Sequence, residues 1–221
     1  MFRFMLMAPP GATLVAPVED LVGLAAAAPG LTTGLVHTPA HASDPYLHDG
    51  APPPMALELD FASIEALETA VAATGPLRGL ARLLPAGTTQ QAMLARSYPV
   101  AEGVVPDIAR QAACTYLVAY EGRAADEQAW LEYYLAHHPT IMARFPAIRA
   151  IEICTRLDWM GGLDLPRARA LQRNKVVFDD AAALTAALNS PVRHEMREDF
   201  ARFPPYEGKV THFPMATRRV V

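Results

Sequence analysis

Histidine titrates near neutral pH, so a histidine beside a second proton-carrying group is a candidate for acid–base chemistry. His138 ends the run Trp130-Leu131-Glu132-Tyr133-Tyr134-Leu135-Ala136-His137-His138, just before Pro139. Tyr134 precedes it by one helical turn, so a helix would set phenol and imidazole on one face. Together they could polarise a carbonyl and move a proton. The competing reading is a helix-end histidine that caps or packs beside Pro139. His137 points elsewhere on the helix and reads as solvated.

A pair of carboxylates is the second candidate. In the strand-like run Met55 to Phe61, alternation puts Leu57, Leu59 and Phe61 on one face and Ala56, Glu58 and Asp60 on the other. Carboxylates facing an apolar interior gain proton affinity unless a cation pairs with them, which would suit Glu58 or Asp60 to general acid or base work. In Arg173 to Phe178 the same logic puts Lys175 and Val177 inside and Asn174, Val176 and Phe178 against helices. Lys175 could then pair with the carboxylates. A structural ion pair, or carboxylates exposed at a sheet edge, is the alternative.

Three further positions bear on ligand holding. Arg156 shares a strand face with Glu152 and Cys154, and could grip a carboxylate or phenolate or form a surface salt bridge. His212 lies in the last strand-like segment. Trp159, followed by Met160-Gly161-Gly162 in the loop 157–172, suits a flexible apolar cover. The loop 38–54 carries His41, Asp44, Tyr46, His48 and Asp49, just after His37. That spacing fits no metal-ligand pattern, so no metal is expected, and a lid over a cavity is the better reading. Cys114 and Cys154 show no CxxC or Cys/His spacing and read as buried thiols.

The elements that must position these residues repeat. Leu57-Glu58-Leu59-Asp60-Phe61-Ala62-Ser63 followed by Ala66-Leu67 is echoed by Lys175-Val176-Val177-Phe178-Asp179-Asp180 followed by Ala183-Leu184. Such self-similarity implies two copies of one unit. Strands are predicted at Phe2 to Met7, Leu31 to His37, Met55 to Phe61 and Gln90 to Tyr98, with helices from Pro17 and Ser63. The second copy repeats the order with strands at Thr115 to Glu121, Ala147 to Arg156, Arg173 to Phe178 and Lys209 to Met215. Its helices run from about Ala125 to Arg144, from Asp180 and from Pro191. The order βαββαβ predicts two tandem ferredoxin-like α+β domains, 1–100 and 114–221, joined by a linker 101–113. A lone four-stranded sheet leaves one face bare, so the two are expected to pack sheet to sheet as a pseudo-dimeric α+β barrel.

The aromatic pair Tyr133-Tyr134, with His138-Pro139 and the Phe145-Pro146-Ala147 turn, resembles the EthD family of the dimeric α+β barrel superfamily, named after a gene linked to ethyl tert-butyl ether degradation. Pro139 sits one residue early and Ala147 replaces the usual glycine. Val177-Phe178-Asp179-Asp180 with Ala183-Leu184 and Ala187 also fits. The resemblance covers 115–215; over 1–100 only Glu58, three residues before Phe61, matches, and the helix lacks the histidine. The resemblance implies the fold and a superfamily of cofactor-independent isomerases, lyases, cyclases and monooxygenases.

Composition narrows the classes. The chain has 221 residues, 52% of them hydrophobic, a net charge of -4 and a pI near 6.0, which excludes a disordered chain and disfavours nucleic acid as partner. No run approaches a membrane span, and Met1 to Pro10 reads as a first strand better than as a signal sequence, so a cytoplasmic location is expected. There is no GxGxxG, P-loop, GxSxG, HExxH or CxxC. The expectation is a cofactor-independent catabolic enzyme, of lyase or isomerase type, acting on an apolar or aromatic metabolite. His138 and Tyr134 would be catalytic, with Glu58 or Asp60 a second group, and Arg156, Lys175, His212 and Trp159 would bind substrate. A cofactor-free monooxygenase, a non-catalytic binding or accessory protein, and a haem protein with His138 or His212 as axial ligand are the rivals. A homodimer of the fused pair is credible.

Overall fold

Strands form where β-branched and aromatic residues alternate with others, and helices begin where a short polar side chain can cap them. The computed structural model describes residues 1–101 and 113–220. The first part contains β1 (Phe2–Met7), α1 (Val18–Ala26), β2 (Leu31–Pro39), β3 (Ala56–Phe61) and α2 (Ile64–Ala70). A 3-10 turn (Pro76–Gly79) then leads into α3 (Leu80–Leu83) and β4 (Thr89–Tyr98). The second part contains β5 (Ala113–Ala124), α4 (Glu127–Met142), β6 (Ala150–Arg156), β7 (Gln172–Phe178), α5 (Ala181–Leu188), α6 (Pro191–Phe200) and β8 (Tyr206–Arg219). Ser63 and Asp180, matching positions of the repeat, accept the N–H of Ala66 at 3.2 Å and of Ala183 at 2.8 Å. Asp126 caps α4 through the N–H of Ala129 at 3.0 Å.

The strands do not make two ferredoxin-like α+β domains packed sheet to sheet, and that expectation is corrected. They form one closed antiparallel barrel in the order β1-β3-β2-β8-β5-β7-β6-β4, with β4 returning to β1. The two parts of the chain meet edge to edge. Leu35 to Pro39 of β2 pair with Arg219 to Met215 of β8, and Met93 to Tyr98 of β4 pair with Arg156 to Ile151 of β6. The reason lies in the backbone. Each four-stranded segment has two edges of unpaired N–H and C=O groups, and closure satisfies all of them at once. The expected linker lies outside the described residues except at its ends, and Ala113 already belongs to β5.

Alternation then sorts side chains between the barrel interior and an outer face covered by helices. Outside, Phe4, Leu6, Leu57, Leu59 and Phe61 pack with Leu21 and Leu67 in one core. Tyr116, Tyr120, Val176 and Phe178 pack with Trp130, Tyr134 and Leu184 in another. The interior is charged. Arg3 forks onto Asp60 at 2.7 and 2.8 Å and reaches Glu152 at 2.5 Å and Glu58 at 3.3 Å. Lys175 sits 2.9 Å from both Glu58 and Glu152, while His37 Nε2 lies 3.4 Å from Glu58. Burial works against the charges of Arg3, Glu58, Glu152 and Lys175. Arg3 and Lys175 nevertheless hold Glu58 well below the usual carboxylate range, and Glu58 and Glu152 raise Lys175.

Two long loops cross between the parts. The segment after β2 runs over the outer core of the second part, where Ala40 and Ala42 pack. The segment after β6 runs the other way, with Leu157, Trp159, Leu163 and Leu165 joining the outer core of the first part. Gly162 donates its N–H to Val71 O at 2.9 Å, and a Cβ there would sit 2.4 Å from the Ala73 nitrogen, so only glycine fits.

Two stability predictions follow from this frame. Glu58→Ala takes from Lys175 and Arg3 the carboxylate they share, leaving Lys175 with Glu152 alone, and is expected to destabilise the protein by about 3–5 kcal/mol in urea unfolding. Because Glu58 is depressed from its ordinary value of 4.5, its contribution is complete above that pH and is lost on further acidification. Glu58→Gln should therefore show a shallower loss of stability in acid; an unchanged slope would contradict the network. Ala147 occupies left-handed space at φ 58°, where the EthD resemblance expects glycine. Ala147→Gly should raise the unfolding free energy by up to about 1 kcal/mol.

Candidate active site

The second outer core is not filled. Between the sheet and α4–α6 lies a small cavity of about 50 Å³. Its polar lining comes from Tyr116 and Tyr120 of β5, Tyr134 and His138 of α4, Asn174 of β7, Arg193 of α6 and His212 of β8. Met142, Phe145, Val176, Phe178 and Leu184 form much of its apolar wall.

His138 is 5% exposed, and its Nδ1 lies 2.6 Å from Asp199 Oδ2. The other Asp199 oxygen accepts the Tyr133 hydroxyl at 3.1 Å. Burial pushes the imidazolium of His138 below its ordinary value, against the opposing pull of Asp199. Burial would raise Asp199, but hydrogen bonds from His138 and Tyr133 hold it below the ordinary carboxylate value. A neutral imidazole that donates Nδ1–H to a carboxylate keeps its Nε2 lone pair for a proton. This is the base-and-orienter arrangement used in enzyme dyads.

Tyr134 tilts against the His138 ring with centroids 4.7 Å apart. Its hydroxyl accepts the Asn174 amide at 2.5 Å. Burial, reinforced by Tyr120, pushes the phenol well above its usual value, so Tyr134 stays protonated and can donate. The loop after β2 closes the remaining side. Asp44 accepts the Tyr116 hydroxyl at 2.8 Å and Arg193 at 3.0 Å. Asp49 accepts the His212 backbone N–H at 2.8 Å and pairs with its ring at 3.0 Å.

The residues expected to act together fall in three places. Tyr134, His138 and His212 line the cavity. Glu58, Asp60 and Lys175 lie across the sheet in the ion network, Glu58 and Asp60 on Arg3 and Lys175 on Glu58. Arg156 and Trp159 line a separate open cleft of about 1040 Å³ at one mouth of the barrel. That cleft is larger, and its lining contains no histidine or tyrosine. Asp199 and Arg193 lie on α6, a helix expected from Pro191 but from which the sequence reading took no site residue. The signal was the apolar spacing of Val192, Met196 and Phe203, into which Asp199 fits.

Among the described residues, no group of three or more His, Cys, Asp or Glu converges as a metal site, and no helix is long and apolar enough to cross a membrane. His138 and His212, the two histidines that could offer a ring nitrogen to haem, each engage a carboxylate through Nδ1, Asp199 at 2.6 Å and Asp49 at 3.0 Å.

No family model and no curated protein matches the chain. Solved structures do. An anthrone oxidase-like protein aligns over 99% of this chain and 92% of its own, with a TM-score of 0.65 and 14% identity. The chain shares this fold. A proposed monooxygenase from Lactobacillus acidophilus aligns over 100% and 93% of the two chains, with a TM-score of 0.53 and 13% identity. One from Fusobacterium nucleatum aligns over 98% and 91%, with a TM-score of 0.56 and 6% identity. An EthD family protein from Bacillus halodurans aligns over only 46% of this chain, at 17% identity and a TM-score of 0.38 that supports no argument.

The dyad makes a direct prediction. Asp199→Asn removes the interaction that lifts the His138 imidazolium, so the His138 titration, followed by imidazole NMR, should move further below 6.5. A midpoint that stays put or rises would remove Asp199 as its partner.

Proposed function

We propose that this protein is an enzyme that uses its own side chains to remove a proton from an apolar, aromatic small molecule. The observation that carries the reading is the buried His138–Asp199 pair, beside the buried Tyr134 and Asn174, at a small cavity. Nε2 of His138 would accept the proton of an activated C–H or O–H. Asp199 would stabilise the imidazolium that forms. Tyr134, aimed by Asn174, would donate to the oxygen on which negative charge develops. Returning the proton at another carbon gives isomerisation; losing a β-substituent gives elimination.

The cavity is far below the roughly 300 Å³ at the lower end of small-molecule sites, so the loop holding Asp44 and Asp49 must lift for substrate to bind. Lifting it would free Arg193, Tyr116 and His212 to meet substrate oxygens. A second reading, cofactor-free oxygenation, is favoured by the oxidase and monooxygenase descriptions of the proteins that share the fold. There the carbanion left by proton removal would react with O2, and loss of water from the hydroperoxide would leave a carbonyl.

Anthrone is a suitable probe for both readings. Under nitrogen in D2O, the protein should accelerate exchange of the anthrone methylene protons. In air, only the oxygenase reading adds O2 uptake. His138→Ala should lower the exchange rate by about 10²–10⁴-fold. Equal rates in both proteins, across anthrone and its hydroxylated derivatives, would sink the assignment.

A further inference from the structure

We propose that the arginine-lined mouth of the barrel is a second binding site, for a small ligand bearing carboxylate or phosphate groups. The open cleft there has a volume of about 1040 Å³ and shares no lining residue with the cavity around His138. Arg123, Arg156, Arg167 and Arg169 line it, against Glu121, Glu127 and Asp158. Arg173 stands behind its floor, touching Gln91 and Glu121, both of which line the cleft. Four arginines thus line the cleft with three carboxylates, and Arg173, which itself faces a separate small cavity inside the barrel, adds a fifth cation behind them, on a chain whose net charge is -4. Such a local reversal of sign attracts anions.

Arg173 supplies the decisive contrast. It is 4% exposed, as buried as Arg3 in the same barrel. Arg3 is fully engaged, with carboxylate oxygens at 2.5, 2.7 and 2.8 Å. Arg173 has only Gln91 Oε1 at 3.4 Å, Met7 Sδ at 3.4 Å and a carboxylate oxygen of Glu121 at 3.5 Å. Charge-assisted bonds to guanidinium lie near 2.7–2.9 Å, so this buried cation is short of partners. Burial accordingly pushes its pKa below the ordinary value.

The rim offers forks as well. Arg156 is paired with Glu127, and Arg167 donates to the carbonyls of Trp159 and Gly161. Arg123 and Arg169 have no side-chain partner among the described residues. Guanidinium forks match the planar or tetrahedral oxygens of carboxylate and phosphate, which is why the ligand is assigned to that chemistry. Trp159, with Arg167 stacked 4.1 Å from its ring, forms an aromatic wall of the cleft.

The full chain can be titrated with citrate and, separately, with inorganic phosphate at constant ionic strength, with chloride as the control. Trp159 reports from the cleft, and Trp130 is fully buried elsewhere. At least one anion should give a saturable fluorescence change, and which one binds identifies carboxylate or phosphate as the preferred group. The surface double variant Arg123→Ala/Arg169→Ala, which leaves the interior untouched, should weaken binding by about tenfold or more. Arg173→Met should weaken it further in any preparation whose circular dichroism matches wild type. Anthrone proton exchange should be unaffected by the surface double variant. A response no greater than that of chloride, or wild-type affinity in the surface double variant, would overturn the proposal.

Discussion

Everything in this protein depends on the closure of one hydrogen-bonded sheet. Neither part of the chain can satisfy its own strand edges, and each uses the other: β2 takes β8, and β4 takes β6. Closure creates an inside and an outside. It also turns a repeated order of strands and helices into a single barrel whose interior side chains come from both parts.

The two surfaces of that sheet are used differently. The interior gathers Arg3, Glu58, Asp60, Glu152 and Lys175, and opposite charges pair across the two parts of the chain. Buried ions impose a desolvation penalty, and leaving one unpaired is worse, so this network specifies which strands face one another more than it adds stability. The outer face of the second part carries a neutral, aromatic surface instead, and there a single base can be kept dry with its carboxylate behind it. The His138–Asp199 pair therefore lies outside the barrel, under the helices.

The repeat is symmetrical in scaffold and asymmetrical in content. On the outer face, α1 buries Leu21 and Ala25, one turn apart, where α4 buries Tyr134 and His138 with the same spacing. Aliphatic packing, completed by Trp159 and Leu163 from the crossing loop, fills the first part. The second keeps a cavity, and its cover comes from the first part through Asp44 and Asp49. Each part thus completes the outer layer of the other, and only one of the two layers is built around polar groups.

The strand alternation, the caps at Ser63 and Asp180, and the helix face shared by Tyr134 and His138 were legible in the sequence, because each depends on residues within a few positions of one another. So was the inward direction of Glu58, Asp60 and Lys175. Their mutual neutralisation was only an option there, since it needs Arg3 and Glu152 brought from other strands. Asp199 lies 61 residues from His138, and Asp44 lies 72 from Tyr116. The tertiary structure alone decided those partners, as it decided one barrel over two sheets. Edge pairing and burial act between residues that chain spacing does not bring together, whereas periodicity and capping act along the chain and are written in it.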